Sequence, residues 1–109
     1  MIVYEYLGGL PTGLARDEVE VRLADCCLHF THQSHLLYHR HGQRKPWSYD
    51  LPLANIADIE VNTAANELVI AAQIGGAPAS VVLHGRPAEL VRLRQLTLHA
   101  RARAEERES

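Results

Sequence analysis

The segment from Asp17 to His41 constrains the fold most, because two tight turns within it agree on one strand register. A turn at Asp25-Cys26 sets Leu23 opposite Leu28 and Val21 opposite Phe30. Cross-strand neighbours share a face of the sheet, and side chains alternate with period two. Val19, Val21, Leu23, Leu28 and Phe30 therefore line one face, and Glu20, Arg22, Cys27, His29 and Thr31 the other. A second turn at Gln33-Ser34-His35 predicts a third strand in which Leu36 faces His32, Tyr38 faces Phe30 and His39 faces His29. Leu36 and Tyr38 then join the apolar face, and His39 and His41 the polar one. A slip of one residue would put Phe30 and Leu36 on opposite faces, which selects this register. Only Cys26 and His32 fit an apolar inner face poorly.

Further strands flank this unit. Ile2 to Leu7 alternates until Gly8-Gly9, Pro11 and Gly13 break it. After the polar turn HGQRKP, Trp47 to Leu51 alternates with Trp47, Tyr49 and Leu51 inward, and Pro52 stops it. Ile56 to Val61 is a short strand, followed by a turn at Asn62 to Asn66. Glu67 to Ile74 is nearly all apolar, which predicts a central strand or one buried on both faces. Gly75-Gly76 with Pro78 forms a hairpin loop into Ala79 to His84.

A helix is expected from Pro87 to about residue 104, with residues 105–109 frayed. Proline suits the first helical position, where its missing N–H costs nothing. Glu89 in the first turn and Arg101 and Arg103 near the end match the helix dipole. Leu90, Leu93, Leu96 and Ala100 make one apolar stripe, enough to cover an open sheet end. Val91 and Leu98 fall on a second line, with Arg94 and Arg101 between the two.

At 109 residues the chain is one domain, with enough core to need no staples. Its 47% apolar and 22% charged content is that of a globular protein, and no apolar run approaches the roughly 18 residues of a membrane span. The opening MIVYEYLGG lacks a basic segment before a long apolar run, so no signal peptide is expected. Neighbouring cysteines on a strand diverge, so Cys26 and Cys27 read as reduced thiols in a cytoplasmic protein. A net charge of −2 gives no global attraction to nucleic acid or anionic membrane. Arginine outnumbers lysine, as in proteins of GC-rich bacteria.

A succession of strands followed by one helix is the order of the pleckstrin-homology-like superfold. YLGG near the start, VRLADCCLHF as a strand–turn–strand and YDLPLANIADIEV leading into an Ile-x-x-Ile-x-Val strand resemble the bacterial PH/GRAM-like domains. The resemblance covers nearly the whole chain and is carried by apolar patterns. It implies a mainly β (α+β) fold: a two-sheet barrel or sandwich of about seven antiparallel strands, capped by one C-terminal helix. It also implies a non-enzymatic module for lipid, peptide or protein contacts. Phosphoinositide-binding PH domains keep basic residues around the first hairpin, whereas here that turn is Ala-Asp-Cys-Cys, which argues against phosphoinositide. A ubiquitin-like or other small α+β fold is the structural alternative.

Three constellations carry chemistry. In the register above, Cys27, His29, His39 and His41 share one exposed face, with thiolate and imidazole being the ligand types of zinc or copper. None of the familiar ligand spacings occurs, and a solvated polar face is the simpler reading. His39, Arg40, His41, Arg44 and Lys45 make a basic loop that could meet a phosphate or an acidic partner, or be an ordinary solvated turn. No exposed aromatics interleave with it, so no nucleic-acid groove is indicated. Cys26 or Cys27 beside histidine is the one nucleophile–base pairing, and it lacks an oxyanion site. The expectation is therefore a binding module without enzymatic activity or cofactor, acting through protein contacts at Arg40, Arg44, Lys45, Val91, Arg94, Leu98 and Arg101. A homodimer through the Val91/Leu98 line is part of that expectation. The alternative is a metal-binding protein using the Cys27, His29, His39 and His41 face.

Overall fold

A computed structural model describes residues 3–11, 17–24, 26–32 and 47–108 of the chain. Among these residues seven strands precede one helix: β1 (Val3–Gly8), β2 (Asp17–Ala24), β3 (Cys27–His32), β4 (Trp47–Pro52), β5 (Ile56–Asn62), β6 (Glu67–Ile74), β7 (Ala77–His84) and α1 (Pro87–Glu108). A short 3₁₀ turn, Leu53–Asn55, links β4 to β5. All neighbouring strands are antiparallel, in the spatial order β4-β3-β2-β1-β7-β6-β5. The mainly β fold with a C-terminal helix is as expected.

Instead of two separately bonded sheets, the ladder runs unbroken from β4 to β5 through β1, which pairs with both β2 and β7. The register of β1 against β7 shifts between Tyr6 and Gly8, where the two halves meet. The inward residues of both halves, from Leu28, Phe30 and Leu51 to Leu68, Ile70, Val81 and Leu83, belong to one buried cluster. The helix packs on β5, β6 and the 3₁₀ turn. Burial of Phe30 and Leu51 at the far end thus comes from the sheet curling so that its halves face each other.

The first hairpin has the expected register, with Leu23 opposite Leu28 and Val21 opposite Phe30. The expected third strand, including Leu36, Tyr38, His39 and His41, lies outside the described residues. The edge of β3 assigned to it is filled by β4, which sets Tyr49 opposite Phe30 and Asp50 opposite His29. A strand has only two edges, and β2 holds the other, so the His29–His39 and Phe30–Tyr38 pairings are replaced. The apolar sequence of β6 fits its central position: Leu68, Ile70 and Ala72 are buried, and Val69 and Ala71 on the other face are half-buried. β6 lies between β7 and β5, and its second face is partly covered.

Local chemistry sets the turns. Gly75 and Gly76 have φ of 62° and 81°, the positive values that a two-residue hairpin requires, so β7 starts at Ala77 and takes in Pro78. Between β5 and β6, Asn62 Oδ1 accepts from the N–H groups of Ala64 and Ala65 at 3.1 and 3.3 Å. Gly9, after β1, sits so close to β7 that a β-carbon there would lie 2.0 Å from the Ser80 carbonyl oxygen.

Candidate functional site

Consider first the polar face of β2, β3 and β4. His29 has Arg22 and Asp50 as its two cross-strand neighbours, and its Nδ1–H donates to Asp50 Oδ1. The carboxylate accepts only, so this bond fixes the proton on Nδ1. Cys27 lies on the same face two residues away, opposite Pro52. Cys26 is exposed at the turn and Cys27 half-buried, and neither forms a disulfide. His39, His41, Arg40, Arg44 and Lys45 lie outside the described residues. Among the described residues no three His, Cys, Asp or Glu side chains come together to hold a metal ion. Asp50 was legible in hindsight: aligning Leu51 with Leu28 and Tyr49 with Phe30 brings it opposite His29.

The helix presents a different stripe from the one expected. Leu90 and Leu93 are buried and Ala100 packs on the core, but Leu96 is 46% exposed. Thr97 takes the buried position, at 0% exposure, because the line 90, 93, 97 keeps to one side of a 3.6-residue helix. Leu98, expected to lack a partner in its own domain, packs against the core. Val91 stays 36% exposed. The Val91/Leu98 pair is thereby divided, one residue outward and one inward. The tail expected to fray continues the helix to Glu108.

Arg94 and Arg101 turn to β5, the last strand of the sheet. Arg94 Nε donates to the Ile59 carbonyl at 2.7 Å, and Arg101 Nη1 donates to the Ala57 carbonyl at 3.2 Å. Arg101 also meets Glu105 of its own helix at 3.4 Å. The Ile59 N–H donates to Asp58 Oδ1 at 2.9 Å. Both backbone groups of Ile59 therefore point away from β6 and find side-chain partners. Edge strands expose such groups by construction, and charged side chains are one way of blunting them. Helix and strand leave an open groove of about 450 Å³, lined by Asp58, Ile59, Glu60, Val61, Val91 and Arg94 among others.

The start of the helix is held by Tyr4, which is buried in the core and donates a long bond of 3.5 Å to the Glu89 carbonyl. Burial pushes the Tyr4 phenol pKa up, the Glu89 carboxylate pushes it further, and Arg92 opposes both.

No protein-family model matches this chain, and no curated protein matches it.

Proposed function

We propose that the chain is a non-enzymatic interaction module of the PH-like kind, and that its contact surface is the groove between β5 and α1. One observation carries this reading: Val91 and Arg94, two of the residues picked out for partner binding, line a groove of about 450 Å³ beside the terminal strand of the sheet. An exposed aliphatic residue next to an edge strand and open polar groups is a surface that an extended protein segment can use. The strand order and the position of the helix support the PH-like reading. Two cysteines outside any disulfide agree with a reducing, cytoplasmic setting, and among the described residues no helix is long and apolar enough to cross a membrane. Self-association through Val91 and Leu98 loses its second residue to the core, so contact with another protein is preferred.

A photo-crosslinking residue placed at Val91, and in a second variant at Arg22 on the far polar face, tests this in the native host. Adducts of defined mass from position 91 and none from position 22 are expected. Adducts from position 22 alone would move the contact surface to the β2–β4 face.

A second reading, a transition metal on Cys27 and His29, is favoured by the Asp50 bond to His29 Nδ1. A carboxylate on one ring nitrogen is the usual means of orienting the other toward a metal. Metal retained by untagged protein, with a melting temperature that falls in chelator, would support it. An unchanged melt without bound metal would exclude it.

A further inference from the structure

Ile59 is bonded as though a strand already lay beside it. Its carbonyl accepts from Arg94 Nε at 2.7 Å, and its N–H donates to Asp58 Oδ1 at 2.9 Å. A residue of an added antiparallel strand supplies the same two things, a donor for the carbonyl and an acceptor for the amide. Two residues further, Val61 turns its backbone to the same side and lines the groove. Among the described residues no side chain caps it.

The charges around this edge select the occupant. Asp58 and Glu60 are exposed and project from one face of β5, opposite Ala71 and Val69 of β6. With Arg94, the groove carries two carboxylates against one guanidinium. Antiparallel pairing of two copies about Ile59 would set Asp58 of each opposite Glu60 of the other. Like charges directly opposed destabilise a sheet, so a second copy is disfavoured. A strand with cations at alternate positions meets the same two carboxylates favourably.

We infer that the β5 edge receives an extended basic segment by strand addition along Ile59 to Val61, with the incoming backbone replacing Arg94 and Asp58 at Ile59. This rests on the groove being the contact surface and adds the class of partner. The exchange conserves hydrogen bonds at Ile59. Its driving force comes from new bonds at Val61, from Asp58 released to face a cation, and from apolar contact with Val91. Arg94 and Asp58 then act as a gate: they keep the edge satisfied until a better-matched strand arrives.

The probe is a capped heptapeptide alternating threonine and lysine, compared with its threonine–glutamate counterpart, titrated into the full chain and followed by amide NMR. The basic peptide is expected to shift the Ile59 and Val61 amides and to dissociate at high salt, while the acidic peptide shifts neither. Arg94→Ala should tighten the basic peptide about 3–10-fold by removing a competitor for the Ile59 carbonyl, equivalent to roughly 1 kcal/mol. Arg94→Gln serves the same purpose if the alanine variant folds poorly. Equal affinity for the acidic peptide at the same amides overturns the inference and leaves the groove reading in place. Shifts confined to β2–β4, or affinity unchanged in a folded Arg94 variant, also overturn it. So does the absence of any shift, in which case cross-linking from Val91 decides the groove reading separately.

Discussion

Arg94 on the helix and Ile59 on the terminal strand are joined by a 2.7 Å bond from guanidinium Nε to backbone carbonyl. Seven residues further along the helix, Arg101 reaches the Ala57 carbonyl, two residues back along the strand. The helix is thus fastened to the edge of the sheet by charged donors as well as by Leu90 and Leu93 beneath it. Arg94→Ala should destabilise the fold by about 1–2 kcal/mol in urea unfolding, the range for a partly exposed charge-assisted bond. A change below about 0.3 kcal/mol would mean that the bond is not maintained in solution.

Phe30 has no exposed surface and lies between Val21 and Tyr49 on its neighbouring strands. Phe30→Ala is expected to cost about 3–5 kcal/mol, the usual loss for an aromatic removed from a close-packed core. A cost under about 1 kcal/mol would require the inner and outer faces of the first hairpin to be exchanged.

The register of that hairpin was readable because apolar and polar residues alternate on both sides of one short turn. Strands β5 and β6 and the start of α1 were readable for equally local reasons: Pro52, Asn62, Gly75-Gly76 and Pro87 punctuate them. The pairing of β3 was not readable, since Tyr38 and Tyr49 are equally good partners for Phe30 by chemistry. Only the three-dimensional closure of the sheet decides for Tyr49. The helix failed in a similar way. Leu96 looks more apolar than Thr97, but Thr97 continues the buried line of Leu90 and Leu93 while Leu96 falls outside it. The candidate site was half visible, because Val91 and Arg94 stood out while Ile59 and Asp58 gave no signal of lying at a sheet edge.

Thr97 is fully buried, and its hydroxyl has no hydrogen-bond partner among the described residues. Burying an unsatisfied hydroxyl is costly, and valine keeps the same β-branched shape. Thr97→Val should stabilise the domain by about 1 kcal/mol. A destabilised variant would show that the hydroxyl is bonded in solution.

Alkaline stability should depend on Tyr4. Its phenol pKa lies above the ordinary value of about 10 in the folded protein, chiefly through burial. Between the two values the unfolded chain has lost the proton and the folded chain retains it, so stability falls as pH rises. The contribution is complete below about pH 10 and is lost from there upward. Urea midpoints measured from about pH 8 to pH 11 should fall more steeply in the wild type than in Tyr4→Phe. Parallel slopes would contradict the assignment.

Side chains stand in for a strand at Ile59, beside the groove proposed to receive a partner. Amide hydrogen exchange in the folded chain tests this most directly, comparing Ile59 with Val61, whose backbone faces the same side. With Asp58 accepting its proton, Ile59 should exchange at least about ten-fold more slowly than Val61, and Asp58→Ala should erase the difference. Equal rates for the two amides in the wild type would contradict the account.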